Sequence, residues 1–451
     1  MRRLKLYFVL VVLLAGCAGQ RKVAETPSLT FASPSLLPLT ITPMRIFTPT
    51  IISSPTTTPR PTVTPMPRVL SPTPTVNVGF FTPLPDSETV QQCLKITDHL
   101  PEGAELKGKL VLGSMYHNVD SYILNLENNE RNEIPVSTGR AILWYYSAGV
   151  SPNGSWLAYI ETVEDSEGMR LHVISADLQE QPFIDLEHGW GYIINWLDDQ
   201  RMLLSPSVSS WEENRIFANG EMAILNPFLQ DWEILSPELP IQISPDPMPW
   251  NPGQGIPIVI YDPSLTRAVY LSLNGFLLID GQSQSIIIEL RTYDFGTRPR
   301  WSPQGDSFAF VIDDATYPMS RSEIYQINRE GHSNQITHLF NAFGNNVTVQ
   351  NFNWSPDGRK IAFAYYVHDT PTDEQVAVVD VETRQTVVYC LPIVGGLSPI
   401  WSPDGHQIAF VSATAEERDK DIFRTVIVDI VQGYAVQVAE HWSPLGWMVS
   451  P

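Results

Sequence analysis

Cysteine is scarce in this chain. Its 451 residues hold three, Cys17, Cys93 and Cys390, with no C-x-x-C pair, so neither a zinc knuckle nor a thioredoxin-type motif is present. The nine histidines are dispersed. His99, His117, His172, His188, His332, His338, His368, His406 and His441 show no H-E-x-x-H or H-x-H spacing, so no zinc site is expected. Asp313-Asp314 and Asp419-Lys420-Asp421 lack the alternation and glycine of a calcium loop, and no metal or other cofactor is expected. Basic residues are also few: 28 Lys and Arg face 49 Asp and Glu, a net charge of −21. The first 90 residues carry eight basic and three acidic side chains, which leaves 20 against 46 in the remainder. That remainder is poorly suited to nucleic acid or to an anionic membrane surface. Its charge serves solubility.

Long apolar runs are missing except at the start. Met1-Arg2-Arg3-Leu4-Lys5 is basic, Leu6 to Leu14 is apolar, and Leu14-Ala15-Gly16-Cys17 closes the run with small residues. The run is too short to span a bilayer as a mature helix and has the layout of a secretory signal over residues 1–16. The tetrapeptide resembles the bacterial lipobox. That resemblance implies cleavage before Cys17 and acylation of Cys17, with several acyl chains holding the protein to a membrane at roughly 0.8 kcal/mol per buried methylene. The expected address is the outer face of the cell membrane, or the periplasm and outer membrane of a two-membrane host.

Proline, by contrast, is abundant at 38 and unevenly placed. Residues 17–85 contain Thr48-Pro49-Thr50, Pro55-Thr56-Thr57-Thr58-Pro59, Pro61-Thr62-Val63-Thr64-Pro65 and Pro72-Thr73-Pro74-Thr75. Proline removes backbone donors and favours the extended polyproline conformation, so a disordered tether is expected here. At about 3.1 Å per residue it reaches on the order of 200 Å. A stalk of required length and a plain linker both fit.

Beyond an entry segment at residues 86–106, the chain repeats itself. Trp354-Ser355-Pro356-Asp357-Gly358-Arg359-Lys360-Ile361-Ala362-Phe363 returns as Trp401-Ser402-Pro403-Asp404-Gly405-His406-Gln407-Ile408-Ala409-Phe410 and as Trp301-Ser302-Pro303-Gln304-Gly305-Asp306-Ser307-Phe308-Ala309-Phe310. Weaker copies stand at Val150-Ser151-Pro152-Asn153-Gly154 and Trp442-Ser443-Pro444-Leu445-Gly446, and Trp196 and Tyr261 mark two more units. Proline suits the first central position of a type I turn, Asp the second, and glycine the positive φ that completes the hairpin. Short alternating strands flank each turn, four in about 45 residues, which is one propeller blade. A small residue six places after the turn proline, at Ala158, Ala309, Ala362 and Ala409, predicts close approach of neighbouring blades.

The ends of residues 107–451 are informative. Lys109–Ser114, 120–126 and 130–135 are the second, third and fourth strands of a blade that lacks its first. Val436 to Trp442, followed by a Ser443-Pro444 turn, is a first strand that lacks the rest. The expected fold is therefore all-β: a seven-bladed β-propeller of four-stranded antiparallel blades, closed by the C-terminal strand pairing with the first blade. The W-S-P-D-G-x-x-I-A-F pattern resembles the WD-like repeat of TolB and its relatives over roughly residues 107–446. It is also similar to the propeller of prolyl-oligopeptidase-type peptidases. Those carry a hydrolase domain with G-x-S-x-G, which is absent here, and the chain ends soon after the last copy, so peptidase activity is not expected to carry over. TolB's partner interactions rest on a separate N-terminal domain, where this chain has its Pro/Thr tether, so that role does not carry over either.

Cys93 and Cys390 both fall in the exported part, and they either bridge the entry segment to the sixth blade or remain thiols. No sequence feature selects a pair of carboxylates for sugar chemistry. The loops before first strands and after second strands share one face, opposite the Ser-Pro-Asp-Gly turns. That face collects His188, Trp190, Tyr192, Trp211, Trp250, Tyr293, Phe295, Arg298, Arg300, Tyr317, Arg321 and His368. Loops on a rigid scaffold are where binding residues concentrate, and aromatics with Arg are common anchors; the same residues also serve to cap the ring. The expected role is a non-catalytic binding module for a protein, peptide or glycan. The alternatives are a polysaccharide lyase or hydrolase with its site at the channel mouth, and a structural envelope protein.

Overall fold

The computed structural model describes residues 89–114, 120–136, 148–162, 169–186, 192–206, 222–235, 258–272, 275–280, 285–290, 299–313, 322–344, 346–368, 373–394 and 397–449. All belong to one of the chain's two units, Val69–Pro451. The signal segment, the tether and Cys17 lie outside the described residues.

Seven small antiparallel sheets follow one another along the chain. Blade six shows the pattern: Val347–Trp354, Lys360–Val367, Gln375–Asp380 and Thr386–Pro392, each hydrogen-bonded to the next. The units marked by Trp196 and Tyr261 are regular blades, three and four, with inner strands Tyr192–Trp196 and Ile258–Tyr261. Blade one takes three strands from its own stretch, Lys109–Ser114, Tyr122–Asn125 and Arg131–Glu133, and its inner strand from the C-terminus. Lys109 pairs with Met448 and Ser114 with Trp442, so the ring closes as the repeat count requires.

The closing strand itself is displaced from its expected place. Tyr434–Glu440 is the outer strand of blade seven, and the closing strand is Trp442–Met448. Ser443-Pro444 therefore lies within a strand and makes no turn. The reason is local chemistry. Leu445 cannot accept the serine hydroxyl as Asp does elsewhere, and Gly446 lacks the positive φ of Gly358 and Gly405. Pro444 falls where the register against Val111 and Leu112 shifts, at a bulge that tolerates a missing donor.

Strand alternation sorts each blade into a large face and a small one. In blade six, Trp354, Ile361, Phe363 and Tyr365 pack against Ala309, Val311 and Ile324 of blade five. Ala362 and Ala364 lie against Trp401, Ile408 and Phe410 of blade seven. Ala158, Ala309, Ala362 and Ala409 are all fully buried, which is the close approach their recurrence predicts. The tryptophans add a directional hydrogen bond. Trp196, Trp301, Trp354 and Trp401 donate Nε1–H to the inner-strand carbonyls of Gly149, Ile260, Arg300 and Asn353 in the blade before, at 2.9–3.1 Å.

The entry segment builds two further strands. Thr89–Gln91 runs parallel to the outer strand of blade six, and Ile96–Thr97 runs parallel to the outer strand of blade seven. Between them Cys93 is disulfide-bonded to Cys390, across 297 residues of sequence and with a Cα–Cα distance of 4.8 Å. Two blade edges that would otherwise be open are thereby paired.

Candidate functional site

The repeated motif is a closed circuit of hydrogen bonds. In blade six, Ser355 Oγ donates to Asp357 Oδ1 at 2.6 Å and accepts from Lys360 N at 2.9 Å, while Asp357 Oδ1 also accepts from Arg359 N at 3.1 Å. Blade seven repeats this with Ser402 and Asp404, and blade two with Ser151 and Asn153. Blade four exchanges the two roles. Asp262, fully buried, accepts from Arg267 N at 2.8 Å and from the Ser264 hydroxyl. The turn carboxylates are thus occupied by the turn. Burial alone would raise the Asp357 carboxyl, but the Ser355 hydroxyl, the Arg359 amide and the cations Lys360 and Arg359 hold it below the usual carboxylate range.

Arg300 lies on the inner strand of blade five, two residues before Ser302, and so toward the turn end of the strand and not on the opposite face where the sequence reading put it. Its Nη1 donates to Asn353 Oδ1 at 3.3 Å and its Nη2 to Ser398 Oγ at 2.9 Å. Asn353 Nδ2 donates to Pro399 O at 3.2 Å. One side chain thus reaches from blade five across the inner strand of blade six to the approach of blade seven. A second network ties blade six to blade seven on the face opposite the turns. Arg418 donates to Glu374 at 3.1 Å and lies 3.6 Å from Asp373, Gln350 donates to Glu374 at 3.1 Å, and Ala415 N donates to Asp373 at 2.6 Å. Arg418 belongs to the short helix Ala415–Arg418, which Thr414 and Glu417 close with a capping box. Glu417 also pairs with Arg424 at 2.5 Å. His368 stands on this face, exposed, with Nε2 2.8 Å from Thr348 Oγ1 and its ring edge-on to Tyr366.

Of the face residues expected from sequence, the structure describes Arg300 and His368 in full and Tyr192 by its backbone; it places His368 on that face and Arg300 toward the turns. His188, Trp190, Trp211, Trp250, Tyr293, Phe295, Arg298, Tyr317 and Arg321 lie outside the described residues, as does the Tyr192 side chain. Sequence reading missed Asp373, Glu374 and Arg418. The Thr414-x-x-Glu417 spacing was the available sign of the helix that carries Arg418.

Two buried acid clusters are structural. Glu323 is fully buried and accepts from Thr337 Oγ1 at 2.5 Å, Leu339 N at 3.1 Å and Phe340 N at 2.9 Å, which anchors the turn of helix Leu339–Phe343. His172 sets its ring nitrogens 2.8 Å from Glu161 and 2.6 Å from Glu180 and stacks on Tyr159. Burial, then the charges of Glu180 and Glu161, push the Tyr159 phenol up; its hydroxyl donates to Pro135 O of blade one. No group of three or more His, Cys, Asp or Glu is placed to hold a metal among the described residues.

The class this geometry defines is the seven-bladed β-propeller of four-stranded blades. No protein-family model matches the chain, and no curated protein does. Solved structures similar to it include TolB from Acinetobacter baumannii, 13% identical over 72% of this chain and 62% of that one, with a TM-score of 0.39. Another is the oligogalacturonate lyase of Vibrio parahaemolyticus, 14% identical over 72% of this chain and 86% of that one, TM-score 0.44. A third is the periplasmic gluconolactonase of Pseudomonas aeruginosa, 14% identical over 77% of this chain and all of that one, TM-score 0.46. The chain spans less than two thirds of the Acinetobacter protein. Likeness at these identities extends to the fold alone, and the three differ in activity.

Proposed function

We propose that this protein is an exported, lipid-anchored binding module whose propeller takes a protein, peptide or glycan of the cell envelope on the face opposite the turns. The observation that carries this reading is the Arg418 network on that face. Arg418 is held there by Glu374 and Asp373, so its charge is compensated before a ligand arrives. A surface organised in this way favours binding, because little side-chain ordering remains to be done. The Cys93–Cys390 bridge supports the exported address, since disulfides persist in oxidising compartments. The Leu14-Ala15-Gly16-Cys17 sequence supports the anchor.

The protein purified in detergent and used as bait on native envelope material is expected to retain a partner. The double variant Glu374→Ala/Arg418→Ala, which removes the closer ion pair together, is expected to lose most of it. Turnover of an envelope polysaccharide by the purified protein would instead favour the lyase or hydrolase alternative. Radiolabelled palmitate is expected to enter the wild type and not Cys17→Ser; equal labelling of both would end the lipid-anchor reading.

A further inference from the structure

The turn face also holds a groove, and it lies between blades two and three. It measures about 450 Å³ and is lined by Asn153, Trp156, Asp199, Gln200, Asn226, Phe228 and Leu229, within the range of small-ligand pockets. Three turns build it: the first turn of blade two, the first turn of blade three, and the turn after Met222–Asn226. The blades are locked there by Asn153 N, which donates to Asp199 Oδ1 at 2.9 Å.

The apolar side of the groove is aromatic. Trp156 and Phe228 meet edge to face at 4.8 Å, and Leu229 beside them is 73% exposed. The polar side is a set of half-used groups. Asn153 Oδ1 accepts from Ser151 and Ser155, and Asn226 Oδ1 accepts from the Phe228 and Leu229 amides. Each of these asparagines thus keeps a free Nδ2 donor pair among the described residues. Asp199 Oδ2 and the Gln200 side-chain amide are likewise without a partner there. Among the described residues no lysine or arginine lines the groove, and neighbouring Arg201 is held by Asp198 at 2.8 Å.

We infer that this groove is a binding site for a neutral polyhydroxylated ligand, a saccharide unit. Hydroxyls both donate and accept, as side-chain amides do, and the C–H faces of a sugar ring pack on aromatic surface. Three amides beside a single carboxylate suit such a ligand better than an anion, which would meet Asp199 without a cation. They also suit it better than a cation, which three amide donors oppose. Blade two differs from blades six and seven at the decisive position: Asn153 stands where Asp357 and Asp404 stand, so this turn offers a donor where theirs offer none, while the Gln304 amide at the same position of blade five is given to Pro356 O at 3.0 Å. The site lies on the other face from the proposed partner surface and is independent of it.

The test uses the full chain in detergent, titrated by calorimetry with soluble tetrasaccharides of glucose and of N-acetylglucosamine, with the corresponding insoluble polymers in a pelleting assay, and with a lysine-rich peptide. Binding of a neutral tetrasaccharide is expected. Gln200→Ala and Asn226→Asp are each expected to weaken it roughly three- to tenfold, one hydrogen bond apiece. Neither should lower the melting temperature, because Asn226→Asp keeps the acceptor that holds the turn. Asn153→Asp restores the motif's usual residue and is expected to weaken saccharide binding as well. Pelleting with a polymer, inhibited by the tetrasaccharide, identifies a glycan chain as the source; tetrasaccharide binding without pelleting identifies a free sugar. The inference is overturned if no tetrasaccharide binds at millimolar concentration, if the three variants bind as wild type does, or if the peptide binds and Asn153→Asp tightens it.

Discussion

At the scale of single residues, the serine and aspartate of each turn explain both the repeat and its chemical silence. Serine bridges the two ends of the turn, and aspartate accepts the hydrogen bond of the serine hydroxyl. A charged carboxylate holds that bond more strongly than a neutral acceptor does. Burial tends to raise the carboxyls of Asp357, Asp198 and Glu417, yet amide and cationic partners leave all three below their ordinary values. A carboxyl depressed in the folded state contributes stability that is present above its unfolded value and lost as pH falls through the folded one. Acidification from about pH 5 to about pH 3 should therefore lower the melting temperature, and Asp357→Asn should flatten that slope; parallel curves for the two proteins would contradict it. His338 acts in the same sense. Burial, with the positive Arg384, depresses its imidazole, so the unfolded chain takes up the proton first. The recurrent alanines yield a second expectation. Ala362→Leu forces three methylene-sized carbons into a closed interface and should cost about 1–3 kcal/mol, measured by denaturant unfolding, whereas the same change at exposed Ala415 should cost little.

At the scale of strands and blades, the closing strand is the sensitive element. It supplies Trp447 and Met448, 4% and 0% exposed, to the cores shared with blades seven and two. Removing residues 442–451 should lower the melting temperature by on the order of 10 °C, from the lost burial of two large side chains and an opened edge. An unchanged melting temperature would mean that the ring does not depend on closure. Gly446→Val should mimic the deletion in part, because a Cβ there collides with Val150 Cγ2 of blade two. Blades six and seven could be read from the chain because their turns keep every letter of the pattern. Blade four could be placed only by its Tyr261-Asp262-Pro263-Ser264, where the two polar roles have changed places. The entry strands were illegible for a different reason. Thr89–Gln91 and Ile96–Thr97 are two or three residues long and borrow their order from partners some 300 residues away; no local periodicity marks such a strand. The candidate face was visible as a set of loops, but the Arg418 network depends on which loops meet. The groove of blades two and three was hidden because the turn pattern directed attention to the opposite face.

At the scale of the molecule, the disulfide and the closing strand act on the same ring from different sides. The 297-residue separation of Cys93 and Cys390 corresponds to roughly 6 kcal/mol in the loop-entropy account. Cys93→Ser/Cys390→Ser should lower stability by about 2–5 kcal/mol, read from unfolding with and without reductant; a reductant-insensitive wild type would argue against a role for the bridge. The position of that bridge has a mechanical meaning. Tension that arrives along the chain from its N-terminal side meets Cys93 before it meets Ile96–Thr97 or Lys109–Ser114. The covalent link hands the load to blade six, so the hydrogen bonds that shut the ring are not the bonds that bear the pull. Reduced, the same tension would peel the entry strand from blade seven and then draw on the strand that pairs with Trp442–Met448. The bridge thus works as a strain relief, the cord grip at the point where a line enters a closed housing.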